Sequence, residues 1–178
     1  MKWTETPVGD THPVSTTPDL GSELAEDLNE VVARRAVLCL TGPDAEFVMQ
    51  TLDVSVTALD KPPALWVQPA TPADRSSLAR ALYAGLGLDR RRPRPGGLSA
   101  TEDLIVAELH RAERLVVVPE AHKLRTCALE TLYGLWAHGV GRFPLILAGH
   151  ERLEHSLSQP ALTSLGTSVY IWHRLSPS

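Results

Sequence analysis

The sequence predicts a three-layer αβα domain built on a mostly parallel sheet of five strands, near 36–41, 64–68, 115–119, 144–148 and 168–173. Short apolar runs rich in β-branched residues alternate along the chain with longer segments whose apolar residues recur at helical spacing. This alternation is typical of a parallel sheet that is covered by helices on both faces. The run at 115–118, Leu-Val-Val-Val, is the clearest strand, because four consecutive apolar residues suit burial on both faces.

Length and composition indicate one globular domain. The 178 residues suffice for a sizeable core, and 43% of them are apolar. The net charge of −4 gives no general argument for binding nucleic acid or a membrane. No apolar run is long enough to span a bilayer and no signal-peptide pattern is present, so we expect a cytoplasmic protein. Cys39 and Cys127 lie in apolar segments and are expected to be buried free thiols.

The chain before the first strand divides into an arm and a helix. Residues 1–18 contain Thr, Pro, Gly and Asp with little periodicity, which predicts a flexible N-terminal arm. Residues 19–178 are expected to form the single α/β domain. Its first helix runs to Arg34, with Asp19 and Ser22 as candidate N-caps and an apolar stripe through Leu24 and Leu28.

The segments after the first strand are less regular. Residues 53–63 are predicted to be an irregular link, and the short strand 64–68 follows. An amphipathic helix is predicted over 73–86, with Gly87 near its C-terminus. Ser99 and Glu102 have the spacing of a capping box, which predicts a helix from there to Arg111.

The segment 89–97, DRRRPRPGG, is the most basic part of the chain, and its prolines and glycines predict an exposed loop. Clustered arginines contact nucleic-acid phosphates and release counterions, so one hypothesis is a nucleic-acid contact through Arg90, Arg91, Arg92 and Arg94. The alternative is a solvated linker, which fits the acidic net charge. No aromatic residue is interleaved, so we do not expect a base-stacking surface.

The strand 115–119 ends at Pro119, which cannot donate to the sheet, and Glu120 follows it directly. A helix is predicted over 123–138. Ligands of open α/β sheets bind at the carboxyl ends of the strands, so Glu120 is a candidate site residue. The alternative is a solvated glutamate that follows a core strand.

The segment from Val116 to Leu153, VVVPEAHKLRTCALETLYGLWAHGVGRFPLILAGHERL, resembles the Walker B to sensor 1 segment of the AAA+ ATPases. It looks most like the branch that includes the DNA-transposition helper ATPases, in which four apolar residues precede Asp-Glu-Ala-His. Glu120 matches the catalytic Glu and His150 the polar sensor 1 position, whereas Pro119 stands where the family has its metal-binding Asp. The resemblance spans roughly residues 33–177. It implies the strand order 5-1-4-3-2 with the strand 36–41 in a central position.

The phosphate-binding loop of that family follows the first strand. In a working loop, glycine backbone N–H groups wrap the phosphates, and a Lys and a Ser or Thr contact phosphate and Mg²⁺. Here the lead-in to the loop is matched by Thr41, Gly42 and Pro43. The later Gly, the Lys and the hydroxyl residue are replaced by Phe47, Val48 and Met49.

Asp44 and Glu46 add two negative charges where a triphosphate would sit. Together with the lost cation, these charges imply that no nucleotide binds at this loop. The same result is expected if 42–50 is an ordinary loop and helix start that never descended from a phosphate loop. The chain also ends at Ser178, where the family normally continues into a helical lid, and this too argues against normal ATP hydrolysis.

The resemblance therefore implies a catalytically inactive AAA+-like domain without a cofactor, which acts as a protein-binding or assembly module. Its partner is expected to be another protein or a second copy of the chain. The alternative is an ATPase with a non-standard site that binds ATP and Mg²⁺ and keeps Glu120 as its base. Such an enzyme could be a DNA-transposition or other DNA-associated accessory, with cations supplied by a partner.

The carboxyl edge of the sheet also carries a candidate interaction patch and a candidate metal site. Phe47, Val48 and Met49 form either an exposed apolar interaction patch, rimmed by acidic residues, Glu120 and His150, or the first turn of a helix packed on the sheet. Glu120, His122 and His150 could in principle hold Zn²⁺, but surface histidines are the commoner outcome, and we expect no metal. No Ser or Cys nucleophile pattern is present.

Overall fold

The computed structural model describes residues 20–60, 62–91, 96–138 and 142–176. Within them lies one five-stranded sheet in the order β2–β3–β4–β1–β5, with every neighbouring pair parallel. The strands are β1 (Val37–Gly42), β2 (Ala64–Trp66), β3 (Leu115–Val118), β4 (Leu145–His150) and β5 (Val169–Arg174). The predicted strands and their order are confirmed, and β1 lies inside the sheet between β4 and β5.

Eight α-helices lie within the described residues, one before β1 and seven between the strands. They are α1 (Leu20–Arg34), α2 (Ala45–Thr57), α3 (Arg75–Gly85), α4 (Leu88–Arg91), α5 (Leu98–Ala112), α6 (Thr126–His138), α7 (Arg152–Leu157) and α8 (Thr163–Ser168). None of the described helices is long and apolar enough to cross a membrane.

Alternate residues of β1 face two different helix layers. Leu38 and Leu40 belong to a core cluster that also contains apolar residues of α1 and α2. Val37 and Cys39 belong to a second cluster, which contains apolar residues of α3, α5 and α6. All four strand residues are fully buried, because successive side chains of a strand point to opposite faces. The three-layer prediction is therefore confirmed.

Helix α2 continues to Thr57, so the irregular link predicted to begin at residue 53 was wrong in its first part. The β-branched residues there favour extended structure by propensity. Burial overrides that preference, because Leu52 and Val56 lie on the face of α2 that packs in the core, while Val54 on the opposite face is 71% exposed.

The predicted capping box at the start of α5 was also wrong. The helix begins at Leu98, with Gly97 at the N-cap and no side-chain cap hydrogen bond. Glu102 instead accepts two hydrogen bonds from the Arg75 guanidinium, at 2.8 and 2.7 Å. Glu102 therefore pairs with Arg75 of the neighbouring helix α3 and not with the backbone of Ser99.

The connection after β3 differs from the single helix predicted over 123–138. A 3₁₀ turn covers Ala121–Lys123, and α6 begins only at Thr126. Cys127 lies in the first turn of α6 and is exposed, so its predicted burial was wrong. Cys39 is buried as predicted, and burial raises the pKa of its thiol to about 12. The thiol of Cys39 is therefore a packed core group that stays protonated.

Candidate functional site

The carboxyl ends of the parallel strands meet at one edge of the sheet. Most of the site residues predicted from the sequence lie at this edge. Gly42 at the end of β1 pairs in register with His150 at the end of β4. Pro119 and Glu120 follow the last residue of β3, which neighbours β4. Open α/β sheets bind ligands at this edge, so the contacts of its side chains determine which ligands the edge could accept.

The junction between β1 and α2 is short and is closed by its own carboxylate. Only Pro43 and Asp44 separate the last residue of β1 from the first residue of α2. Asp44 is the N-cap, and its carboxylate accepts a hydrogen bond from the backbone N–H of Glu46 at 3.0 Å. The free N–H groups of a helix N-terminus attract anions. Here a side-chain carboxylate already accepts from one of these N–H groups and adds a negative charge that disfavours a phosphate.

The apolar residues that follow this cap lie partly or fully in the core. Val48 is fully buried and packs with Leu38, Leu40 and other residues between α1, α2 and the sheet. Phe47 and Met49 are half-buried, and Phe47 packs against the same cluster. The exposed patch that we considered for these three residues is therefore wrong at its centre, because Val48 faces the sheet. The other reading, a helix start packed on the sheet, is what the structure contains.

Gly42 fits closely against Val48. A Cβ atom at residue 42 would lie 2.8 Å from Cγ2 of Val48 and 3.4 Å from the carbonyl oxygen of Leu175. The backbone of Gly42 is also engaged, since its carbonyl accepts a hydrogen bond from the N–H of Glu151 at 3.2 Å. The glycine that resembled a phosphate-loop lead-in thus has a packing role.

A polar network that the sequence did not predict lies beside this junction. The hydroxyl of Thr41, which is 1% exposed, donates a hydrogen bond to Glu154 of α7. Arg174 at the end of β5 donates to both carboxylate oxygens of Glu154, with Nε at 3.2 Å from Oε1. The hydrogen bonds from Arg174 and Thr41 hold the pKa of Glu154 below its ordinary value. The network joins the carboxyl ends of β1 and β5 to α7.

Glu120, the candidate catalytic residue, is engaged in an ion pair. Its carboxylate accepts a hydrogen bond from the ammonium group of Lys123, one turn later in the chain. Its backbone is in the left-handed region, at φ 50° and ψ 36°. This geometry matches a tight turn stabilised by a local salt bridge, with Glu120 beside a cavity of about 390 Å³ that Pro119 also lines.

His122 and His150 lie together at the same edge, with ring centroids 6.1 Å apart. Nδ1 of His122 accepts a hydrogen bond from the backbone N–H of His150 at 3.2 Å. Nδ1 of His150 in turn accepts from the backbone N–H of Arg152 at 3.2 Å. An accepting Nδ1 leaves the proton of a neutral ring on Nε2. Burial lowers the pKa of His122, with Lys123, His150 and Arg152 adding to the shift and Glu120 opposing it.

The two histidines and Glu120 do not converge on one point. In the part of the chain that the structure describes, no three His, Cys, Asp or Glu side chains form a group that could hold a metal ion. Nδ1 of each ring accepts a hydrogen bond from the backbone, and the Glu120 carboxylate is paired with Lys123. These residues therefore form a structural corner between β3, β4 and α7.

The basic segment is only partly within the described residues. Arg90 is exposed in the short helix α4, which ends at Arg91, so the first arginines are helical and not in a loop as predicted. Arg92 and Arg94 lie outside the described residues, as do residues 1–18 of the predicted arm.

Two contacts of the site were not predicted, and only one of them has a recognisable pattern in the sequence. Asp44 as an N-cap could have been found, because Asp is a preferred cap and a helical pattern follows it. The contact between Thr41 and Glu154 joins residues 113 positions apart, and no local pattern marks it.

Comparison with known proteins supports the fold. No protein-family model and no curated protein matches the sequence. The structure is similar to the Aeropyrum pernix ORC2 protein in its ADPNP–ADP complexes, with a TM-score of 0.63 and 13% identity over 93% of this chain and 50% of that one. It is also similar to CDC6P from Pyrobaculum aerophilum, with a TM-score of 0.67 and 19% identity over 93% of this chain and 48% of that one.

A third similar structure is Drosophila ORC bound to DNA, with a TM-score of 0.61 and 14% identity over 88% of this chain and 29% of that one. The chain thus spans half or less of the length of each of these proteins. At such identities the likeness establishes the fold alone. The five-stranded parallel sheet and its order are those of an AAA+ core-like α/β fold.

Proposed function

We propose that this chain is an AAA+-like domain that does not hydrolyse ATP and that acts by binding another protein. The fold suggests a domain of the nucleotide-binding kind, and a similar structure from Aeropyrum pernix is of ADPNP–ADP complexes. The proposal rests on one observation, the junction between β1 and α2. The Asp44 carboxylate occupies the helix N-terminus there, and Val48 fills the core where a phosphate-binding Lys would be needed.

A nucleotide titration tests the first half of this proposal. We expect no saturable binding when a fluorescent ATP analogue is titrated in the presence of Mg²⁺. Micromolar affinity that is abolished by Glu120→Gln would overturn the proposal and support the alternative, an ATPase with a non-standard site that uses Glu120 as its base. Glu130→Gln, an exposed glutamate of α6, is the matched control.

The edge strand β5 supports the second half, association with a protein. Among the described residues it pairs only with β1, and no described strand covers the backbone groups on its other side. Tyr170 and Trp172 of this strand are 48% and 47% exposed. Exposed aromatic residues are enriched at protein interfaces. We expect this strand to be covered by a second copy of the chain or by another AAA+-like subunit.

Trp66 offers a matched control, because it lies on the opposite edge strand, β2, and is 36% exposed. Size-exclusion chromatography with light scattering should show self-association that Trp172→Ser weakens and Trp66→Ser does not. Equal loss with both variants would contradict an interface on β5. A monomer at every concentration would exclude a second copy as the partner.

DNA is a second candidate partner, favoured by the exposure of Arg90 and by the DNA in the similar Drosophila structure. If Arg90 contacts one phosphate, Arg90→Gln should make the slope of log affinity against log salt concentration less negative by about 0.9. Arg80→Gln on α3 is the control, since Arg80 is also exposed. Fluorescence anisotropy with a labelled duplex measures both, and no binding at low salt would remove this candidate.

A further inference from the structure

A cavity of about 400 Å³ lies at the amino edge of the sheet, opposite the candidate site. Residues that directly precede the strands form part of its lining: Pro63 before β2, Arg114 before β3 and Pro144 before β4. Arg35, two residues before β1, lines it as well. Small-molecule sites typically enclose roughly 300–1,000 Å³, so this cavity is of a suitable size for a small ligand.

The lining combines positive charge with an apolar wall. In the part of the chain that the structure describes, it contains three arginines, Arg35, Arg114 and Arg142, and one carboxylate, Glu113. Arg35 forms an ion pair with that carboxylate, with Nη2 of Arg35 at 2.9 Å from Oε1 of Glu113. Two guanidinium charges therefore have no opposing carboxylate among the described residues of the lining. The apolar part of the lining includes Val32, Pro62 and Pro63, which keep accessible surface, and Leu109 and Phe143, which are only 2% and 5% exposed.

Arg114 supplies the strongest indication of a ligand. Its Nε is buried and has no hydrogen-bond partner among the described residues. A buried donor without a partner is uncommon and costs the desolvation of that group. Arginine cannot escape this cost by losing its proton. The Nε itself has no accessible surface, so an anion in the cavity would contact the terminal nitrogens of this guanidinium and offset the cost of its partly buried charge.

Arg142 is held in position by an aromatic ring. Its guanidinium carbon lies 4.7 Å from the centroid of Trp136. Trp136 is itself fixed, because its indole N–H donates to the carbonyl of Phe143 at 2.9 Å. Stacking leaves the edge of a guanidinium free to donate hydrogen bonds. The second positive group is thus ordered before any ligand arrives, which lowers the entropic cost of binding.

Helix ends give a competing explanation for some of this charge. α1 and α5 both end at this edge, and cations near a helix C-terminus offset its partial negative charge. Arg35 and His110 fit that role by position. The unpartnered Nε of Arg114 does not, because it bonds to no helix carbonyl among the described residues.

We propose that this cavity binds a small organic anion in which a carboxylate or a phosphate monoester is attached to an apolar group. The anionic end contacts Arg114 and Arg142, and the apolar group packs against Val32 and Pro63. The site is separate from the carboxyl edge, so it does not depend on whether that edge binds nucleotide.

Isothermal titration calorimetry with phenyl phosphate and benzoate tests the proposal, with benzyl alcohol as the neutral probe. At least one anion should bind saturably, and benzyl alcohol should not. Arg114→Gln should weaken the anion about tenfold or more, as expected when a charged hydrogen bond is lost. Arg80→Gln, which removes an exposed arginine elsewhere, should leave the affinity unchanged. The stronger of the two probes identifies phosphate or carboxylate as the preferred group.

Arg142→Gln keeps the test valid if Arg114→Gln fails to fold, since Arg142 is exposed and should also weaken binding. The proposal is overturned if neither anion binds, if benzyl alcohol binds equally well, or if neither arginine variant changes the affinity. It is also overturned if a single-stranded oligonucleotide binds in an Arg114-dependent way while phenyl phosphate and benzoate do not, because the ligand would then be nucleic acid.

Discussion

The carboxylate of Asp44 accepts a hydrogen bond from the backbone N–H of Glu46, with 3.0 Å between the oxygen and the nitrogen. This bond stabilises the start of α2, and it also sets a negative charge at the point where the sheet edge and the helix N-terminus meet. The same contact therefore affects both stability and the kind of ligand that this edge accepts.

Asp44→Ala should lower the free energy of unfolding by about 1 kcal/mol, because an Ala at the N-cap leaves backbone N–H groups of α2 without an acceptor. Urea unfolding measures this change. Asp53→Ala, an exposed acid in the middle of the same helix, should leave stability unchanged or slightly higher, since Ala is the better helix former. Equal losses in the two variants would show that Asp44 does not act as a cap. We expect no ATP affinity in Asp44→Ala, because Val48 still fills the core.

Val48→Lys should lower the free energy of unfolding by about 3 kcal/mol or more, because it places a charge in a fully buried position. For a protein of this size that loss corresponds to a fall in the thermal midpoint of roughly 6–12 °C. Gln50→Lys on the exposed face of α2 is the control and should melt like the wild type. An unchanged midpoint in Val48→Lys, with weakened assembly, would instead restore the interaction patch at Phe47–Met49.

The Glu154 carboxylate should contribute stability that depends on pH. Its pKa is held below the ordinary 4.5 by hydrogen bonds from Arg174 and Thr41, so the folded protein binds this proton less tightly than the unfolded chain. The contribution is present above pH 4.5 and is lost as the pH falls through the folded pKa. Glu154→Gln should therefore be less stable than the wild type at neutral pH, and the difference should shrink below pH 4.5.

Urea unfolding of Glu154→Gln over a series of pH values measures this effect. Glu26→Gln, an exposed glutamate of α1, serves as the comparison and should show a much smaller dependence. A difference between wild type and Glu154→Gln that stays constant with pH would mean that the ion pair with Arg174 is not formed in solution.

His122 should titrate below the ordinary value of 6.5, because burial disfavours its charged form. The unfolded chain then binds the proton more readily, so stability falls as the pH drops below 6.5 and levels off below the folded pKa. NMR titration of the His122 ring gives the folded pKa directly. His122→Gln should lose less stability than the wild type between neutral and acidic pH. A folded pKa of His122 at or above 6.5 would contradict the burial of this ring.

The strands could be predicted from the sequence because the signal is local. Four consecutive buried residues at 115–118 lie within one segment, and β1 and all but the last residue of β4 likewise consist of consecutive buried residues. The strand order was inferred from the resemblance of the segment around Glu120 and His150 to a known family, and the sheet has that order. The sequence also placed a helix start within 42–50 as one of two alternatives, and α2 begins there at Ala45.

The contacts of the site were decided by the tertiary structure. Glu102 had the spacing of a cap, but Arg75, 27 residues away, provides a stronger, charged partner. Thr41 and Glu154 meet only because the fold places β1 and α7 side by side. Apolar periodicity is set by each segment's own residues, whereas a polar side chain bonds to whichever partner the packed elements bring within 3 Å or so. The layers and the Asp44 cap therefore follow from the local sequence, whereas the partners of Glu102 and Glu154 depend on how those layers pack.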